Sequence, residues 1–197
     1  TGIELPQSEL RRILEANQDV VVIVDEAYVD FGGESALPLI RQYPNLLVIQ
    51  TCSKSRALAG LRVGFAFGDA NLIQALNCVK NSINSYTLDR LALAGAPAAV
   101  EDQAYFDAQR SKVMTTRTRT TEELRKIGFQ VLPSKANFIF IAHPTVPAKK
   151  LFAGLREKGV LVRYFDQPRI DNYLRVSIGT DQEMDAFLTA IRELIAQ

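Results

Sequence analysis

The fold is decided by Val20-Val21-Val22-Ile23-Val24-Asp25-Glu26-Ala27-Tyr28 and by Leu46-Leu47-Val48-Ile49-Gln50-Thr51-Cys52-Ser53-Lys54. Each segment is a short apolar run followed at once by polar residues. Short apolar runs bounded by polar residues predict fully buried strands of a parallel sheet. The sequence therefore predicts an α/β fold with two neighbouring strands at its centre.

Polar side chains follow both predicted strands at the point where each strand ends. Asp25 and Tyr28 follow the first, and Lys54 follows the second. Arg62 comes soon after, in Ala59-Gly60-Leu61-Arg62-Val63-Gly64. In open α/β sheets ligands bind beyond the carboxyl ends of the strands. A carboxylate, a phenol, an amine and a guanidinium are thus expected at one rim of the sheet.

Length and composition narrow the classes of protein to consider. The 197 residues are 47% hydrophobic, and the formal net charge is +1. This balance gives no case for nucleic acid or an anionic membrane as a partner, and no apolar run approaches the roughly 20 residues that span a bilayer. The two cysteines, Cys52 and Cys78, form no disulfide framework and lack metal-ligand spacing. We therefore expect a cytoplasmic protein without a metal.

The two segments resemble the fold-type I pyridoxal-phosphate (PLP) aminotransferases, most closely the histidinol-phosphate aminotransferases. Residues 25–31 are similar to the Asp-Glu-Ala-Tyr segment of that family, and residues 51–64 to its cofactor-lysine segment. The offset of eight residues between Lys54 and Arg62 also matches. The resemblance covers residues 1–197. It implies an α/β fold in which the chain supplies part of a mainly parallel large-domain sheet and a smaller C-terminal α/β domain.

The resemblance implies that PLP is the cofactor and gives three residues roles at its ring. Lys54 would bind the aldehyde covalently and then carry a proton between the substrate α-carbon and the cofactor, which makes it the catalytic residue. Asp25 would keep the pyridine nitrogen protonated, since a neighbouring carboxylate favours the charged form. Tyr28 would donate a hydrogen bond to the ring hydroxyl oxygen.

Further residues would bind anionic groups. The resemblance assigns the cofactor phosphate to Thr51, Ser53 and Arg62, where hydroxyls and a planar guanidinium act as donors. In the C-terminal half, Arg175 would pair with the α-carboxylate of the amino-acid donor, and Arg163 would help to bind the substrate phosphate. An arginine between apolar strand residues is costly to bury unless it meets an anion.

Each of these residues also has an ordinary alternative role. A strand-end aspartate is commonly part of a turn, and a lysine in a polar loop is commonly solvated. Arg163 and Arg175 could be surface residues of a strand. Cys52 is expected to be a small packed residue, and the only histidine, His143, to lie in a surface loop. Glu26 follows Asp25, and strand alternation directs it to the opposite face.

The resemblance implies a specific reaction. An amino group would pass reversibly between glutamate and imidazole-acetol phosphate, giving histidinol phosphate and 2-oxoglutarate, in histidine biosynthesis. An aromatic aminotransferase and a threonine-phosphate decarboxylase are alternatives with similar motifs. A non-catalytic aminotransferase-like binding domain is a third alternative, from a different functional class.

The resemblance also bears on domain organisation. Residues 1–96 are expected to be the C-terminal part of the large PLP-binding domain and residues 97–197 the small domain. Thr1-Gly2 resembles the end of a motif that precedes these segments in the family, so we expect the chain to be the C-terminal part of a longer protein. An isolated piece would then be inactive. Members of the family are homodimers, which is also the expectation here.

Hydrophobic periodicity and breaker residues predict the remaining elements. Strands are predicted at 20–24, 46–50, 63–68, 129–132, 138–142, 160–163 and 173–178. Helices are predicted at 6–16, 69–79, 88–99, 102–127, 147–158 and 181–196, with Ser8 and Asp69 as N-terminal caps.

Overall fold

A computed structural model of the chain describes residues 1–196, and these form two compact units of α/β structure. One unit comprises Leu5–Gln109, and the other joins Thr1–Glu4 to the chain from Arg110 onward. The boundary expected between residues 96 and 97 falls inside a helix of the first unit. The assignment of the two parts to a large and a small domain stays a prediction.

The first unit contains a three-stranded sheet with the order β1-β2-β3. Its strands are β1 (Val22–Asp25), β2 (Leu46–Thr51) and β3 (Gly64–Gly68). Its helices are α1 (Gln7–Ala16), α2 (Ala70–Ile83) and α3 (Arg90–Glu101). Short 3-10 turns lie at Val29–Phe31, Leu37–Leu39 and Ala59–Leu61.

Only part of the predicted parallel sheet is found. β1 and β2 are parallel, but β3 is antiparallel to β2, with Thr51 opposite Gly64 and Leu47 opposite Gly68. The reason is the connection, because residues 52–63 contain a single 3-10 turn and no crossover helix. Adjacent parallel strands need such a crossover, whereas antiparallel strands can be joined directly.

The prediction that β1 is fully buried is wrong. Val22 and Val24 pack on a core that includes Leu14, Leu39 and Leu46, whereas Ile23 on the opposite face is 59% exposed. Side chains alternate between the two faces of a strand. Because α1 and the turn at Leu37–Leu39 supply the core on one face, every second residue of β1 is left open.

The second unit is built on a four-stranded sheet with the order β4-β5-β7-β6, and all its pairings are antiparallel. The strands are β4 (Gln130–Val131), β5 (Phe138–Ala142), β6 (Arg163–Tyr164) and β7 (Leu174–Ser177). Helix α4 (Gln103–Lys126) begins in the first unit and ends in the second, and α5 (Ala148–Glu157) and α6 (Asp181–Ile195) follow.

One face of this second sheet carries the hydrophobic core of the unit. Ile139 and Leu174 from the sheet meet Leu155 of α5 and Phe187 and Ile191 of α6, and all five are almost fully buried. At roughly 25 cal/mol per Å² of apolar surface removed from water, burial of such side chains is the main stabilising contribution.

The predicted helices are all present, with differences at their ends. Asp69 caps α2 by accepting a hydrogen bond from the Asn71 backbone N–H (2.9 Å), as predicted. The predicted cap at Ser8 is wrong, because α1 begins after Pro6 without a side-chain cap. Proline suits a helix start because its fixed φ fits and the missing N–H has no intrahelical partner there. In residues 1–196 no helix combines the length and apolar character that crossing a bilayer requires.

Helix α6 begins with a reciprocal capping box. The Thr180 hydroxyl accepts from the Glu183 backbone N–H (3.3 Å), and the Glu183 carboxylate accepts from the Thr180 backbone N–H (2.7 Å). The Thr180 N–H, and then the Thr180 hydroxyl that donates to the same carboxylate (2.9 Å), hold the pKa of Glu183 below its ordinary value. The capping box fixes the start of the helix that carries much of the core of the second unit.

We predict that Thr180→Ala lowers the free energy of unfolding by about 1 kcal/mol, since an N-cap hydroxyl is lost. Urea unfolding followed by circular dichroism measures this. The contribution from Glu183 is present above the pKa of an unfolded glutamate and is lost as the pH falls through its depressed folded pKa. The difference between the two proteins should therefore shrink in acid. Thr189→Ala, on an exposed turn of the same helix, is the control, and an equal loss there would contradict the capping role.

Candidate active site

The open face of the first sheet carries two of the predicted site residues. Asp25 lies opposite Ile49 in the β1–β2 ladder, and Thr51 follows two residues later, so both point to the face away from the core. The neighbouring residues of β3 on this face are Gly64 and Ala66, which lie opposite Thr51 and Ile49. Small residues beside a carboxylate and a hydroxyl leave space for a flat ligand over the strands.

The opposite face is fixed by the carboxylate of Glu26, which is 8% exposed. It accepts hydrogen bonds from the Gln50 side-chain amide (2.8 Å), the Ser35 hydroxyl (2.8 Å) and the Ala36 backbone N–H (2.5 Å). Glu26 thus points away from the open face, as strand alternation predicts. A buried carboxylate with several donors ties the ends of β1 and β2 together, and so positions Asp25 and Thr51.

Lys54 and Tyr28 come together at the end of the two strands. The Lys54 Nζ lies 5.6 Å from the centroid of the Tyr28 ring. Lys54 is exposed and has no ion pair within the described residues. An exposed amine without a carboxylate partner is accessible to an electrophile.

The donors predicted for the cofactor phosphate lie at the end of β2 and in the loop that follows it, residues 52–63. The Thr51 hydroxyl donates to the Val63 carbonyl (3.3 Å) and accepts from the Ser53 backbone N–H (3.0 Å). Arg62 has a left-handed backbone (φ 56°), and its guanidinium donates to the Ala59 carbonyl (2.9 Å) in an exposed position. The Ser53 hydroxyl has no partner among residues 1–196. The Ser53 hydroxyl and the Arg62 guanidinium therefore keep N–H or O–H donors for a ligand, whereas the one proton of the Thr51 hydroxyl is donated to Val63.

Two residues of this loop that were not among the predicted site residues, Ser55 and Arg56, hold it in place. The Ser55 hydroxyl donates to the Asp30 carboxylate, and the Arg56 guanidinium donates to the Ala99 carbonyl. The guanidinium also lies over the Phe106 ring, 3.8 Å from its centroid. These partners are far apart in the sequence, and no local pattern links them.

Cys52 lies beneath the loop and is 1% exposed. Burial raises the pKa of its thiol. The Arg56 guanidinium opposes this rise, and the Asp30 carboxylate adds to it. It packs with Val63 and with Ala92 and Ala96 of α3. The thiol is therefore neutral and enclosed at physiological pH, in agreement with the expected packing role.

Arg163 and Arg175 belong to the second unit, where they lie directly opposite each other on β6 and β7. Both guanidinium groups lie near the Phe165 ring, with Cζ 5.5 Å and 5.8 Å from its centroid, and Arg175 also lies 5.3 Å from that of Phe138. Like charges directly opposite in a sheet are unfavourable. The pair is therefore suited to an anion that both side chains can reach.

These features define a class of α/β protein. Two parallel strands end beside an aspartate and a tyrosine, and the loop after the second strand carries a lysine. The chain belongs to the aminotransferase class I and II family, whose profile matches residues 1–191. The roles of the individual site residues stay predictions.

Named relatives agree with the family. The chain is 60% identical over 189 residues to a histidinol-phosphate aminotransferase of Clostridium acetobutylicum, covering 96% of this chain and 54% of that protein. It is 56% identical over 196 residues to histidinol-phosphate aminotransferase 1 of Bordetella parapertussis, covering 100% and 55%. The chain spans about half the length of the curated relatives it matches.

A solved structure shows the same fold. The histidinol-phosphate aminotransferase of Sinorhizobium meliloti, in complex with pyridoxal-5'-phosphate, superposes with a TM-score of 0.88 at 27% sequence identity. The match covers 100% of this chain and 54% of that chain.

We predict that iodoacetamide at neutral pH modifies Cys78 of the folded protein and leaves Cys52 unmodified. Cys78 is exposed, whereas the thiol of Cys52 is enclosed and its pKa is raised. Peptide mass spectrometry before and after unfolding in urea measures this, with Cys78→Ser as the control. Rapid labelling of Cys52 in the folded protein would show that the loop does not stay closed over it.

Proposed function

We propose that the complete translation product carrying this sequence is a PLP-dependent aminotransferase that interconverts histidinol phosphate and 2-oxoglutarate with imidazole-acetol phosphate and glutamate. The observation that carries the proposal is the Lys54 amine beside Tyr28, at the end of the strand pair whose open face bears Asp25. The names of relatives at 56–60% identity support the choice of substrate.

The residues present fit PLP by the chemistry of their donors. The group needs an amine for its aldehyde, a carboxylate for its ring nitrogen, and donors for its phosphate. Lys54 and Asp25 supply the first two, and Thr51, Ser53 and Arg62 the third. Gly64 and Ala66 leave the sheet face open for a flat ring. When bound, PLP supplies an electron-withdrawing ring that lets the substrate α-carbon lose a proton.

The chain itself contributes proton transfer and charge. Lys54 holds a proton at Nζ and can pass it between the substrate α-carbon and the cofactor, a role that positioned amines fill in general acid–base catalysis. The Asp25 carboxylate stabilises a cation on the open face of the sheet. Tyr28 donates from its phenol and packs beside the lysine, which limits the orientations of the amine.

The two arginines of the second unit suit the anionic groups of both substrates. Glutamate brings an α-carboxylate, for which we propose Arg175, and histidinol phosphate brings a phosphate, for which we propose Arg163 in addition. Guanidinium binds both anions through paired N–H donors. The register that places the two residues opposite each other supports a shared anion site.

We further propose that the protein is a cytoplasmic homodimer. Helix α2 supports this proposal as a surface for the second copy. None of its residues is buried, and the apolar residues Leu76, Val79 and Ile83 are exposed. Sedimentation velocity of the complete translation product tests the stoichiometry. A monomer at micromolar concentration would contradict it.

We predict that Lys54→Ala abolishes covalent capture of PLP and lowers turnover by at least about 10²- to 10⁴-fold, since the proton-transferring amine is lost. Borohydride reduction followed by peptide mass spectrometry locates the attached cofactor, and a coupled assay measures turnover. Lys149→Ala, on the exposed surface of α5, is the matched control. PLP still attached by borohydride in the Lys54→Ala protein would contradict the assignment.

We predict that Arg163→Ala lowers kcat/KM for histidinol phosphate about 10- to 100-fold, because a charge-assisted bond to the phosphate is lost. The value for phenylalanine should change little. Steady-state kinetics on histidinol phosphate, phenylalanine and threonine phosphate measure both effects. Arg169→Ala, in an exposed turn of the same unit, is the control. An unmodified protein that prefers phenylalanine or decarboxylates threonine phosphate would instead support one of the alternative enzymes.

A further inference from the structure

The loop that carries Lys54 is held in place by Arg56, two residues after the lysine. Arg56 leaves the loop on the side of α3, and its guanidinium donates to the carbonyl of Ala99. Ala99 lies in the last turn of α3, where backbone carbonyls have no intrahelical partner. The cation therefore satisfies an orphan acceptor at the negative end of the helix dipole.

A second contact fixes the plane of the same group. The Arg56 guanidinium lies over the ring of Phe106, 3.8 Å from the centroid, which is stacking distance. Guanidinium groups stack on aromatic rings more favourably than ammonium groups, because they are planar and weakly hydrated. The hydrogen bond and the stacking together leave Arg56 one orientation.

The loop needs such a support because its backbone is unfavourable on its own. Ala57 and Arg62 both adopt left-handed conformations, with φ of 55° and 56°. Residues other than glycine reach this region only at an energetic cost, and keep it only where surrounding contacts stabilise it. Arg56 immediately precedes Ala57, so its anchor bears directly on the first of these two residues.

We propose that Arg56 is a positioning residue for Lys54, acting through Ala99 and Phe106 and not through contact with a ligand. Together with the bond from Ser55 to Asp30, it holds both residues after Lys54 against the body of the unit. The amine is then presented from a fixed loop. The inference rests on the proposed function for its effect on cofactor capture, while its effect on the loop stands without it.

The test compares Arg56→Met, Arg56→Lys and Phe106→Leu in the complete translation product, with Arg41→Met as the control. Arg41 is an exposed arginine of the same unit, with no hydrogen bond among the described residues. Hydrogen–deuterium exchange of the cofactor-free proteins is measured first. We expect exchange in residues 52–62 to rise at least about 10-fold in Arg56→Met, with α1 and β2 unchanged.

The second measurement is the rate at which added PLP becomes fixed by borohydride on Lys54, together with the visible circular dichroism of the bound cofactor. We expect at least about a 10-fold slower capture and a weaker dichroic signal in Arg56→Met. Arg56→Lys should restore part of the capture rate, because it keeps the positive charge. Phe106→Leu keeps the bond from Arg56 to Ala99 and should show a smaller change in capture. This variant still tests the inference if Arg56→Met does not fold.

The outcomes separate this inference from the proposed function. Loop exchange and capture within twofold of the unmodified protein in both Arg56→Met and Phe106→Leu would overturn the positioning role. Exchange that rises equally throughout the first unit would also overturn it, since Arg56 would then be a general stabilising residue. If no variant, nor the unmodified protein, takes up PLP at Lys54, the proposed function fails, and the exchange result still decides the role of Arg56 in the loop.

Discussion

The site depends on one buried carboxylate. Glu26 accepts hydrogen bonds from the end of β2 and from the segment that follows β1, and so sets how the two strand ends lie against each other. Because successive side chains of a strand point to opposite faces, burying Glu26 forces Asp25 onto the open face. The same alternation places Gln50 beneath the sheet and Thr51 above it. A shift of one residue in either strand would exchange the buried and the exposed partners.

The short return from β2 to β3 has a similar effect on the lysine. Since residues 52–63 contain no crossover helix, the chain turns back at once and pairs antiparallel with the strand it has just left. Lys54 is thereby kept close to the strand end and cannot move with an independent helix. Small residues in β3 keep the face beside it clear. The reactive group, its neighbours and the space over the sheet therefore follow from one local arrangement.

Sequence patterns predicted the elements with strong apolar signals. Residues 138–142 are uniformly apolar and form β5 as predicted. Residues 160–163 were also predicted as a strand, but only Arg163 and Tyr164 pair with β7, and Leu161 is 81% exposed. An apolar run forms a strand only where a partner edge is within reach, which local composition does not encode.

The candidate site was predictable to the extent that its residues follow strand ends. Asp25, Tyr28 and Lys54 could be found because a recognisable segment holds each of them. The role of Arg56 could not be found in this way, since its partners Ala99 and Phe106 lie in α3 and α4, far along the chain. The open face of β1 was also missed, because an apolar sequence does not reveal which face another element covers.

The register of the second sheet has a consequence for its edge. Strand β6 has two residues, and one of them, Arg163, lies opposite Arg175. Repulsion between the two cations works against a pairing that is already minimal. An anion bridging them would remove that repulsion and close the edge more firmly, so ligand charge and strand pairing at this edge are thermodynamically linked.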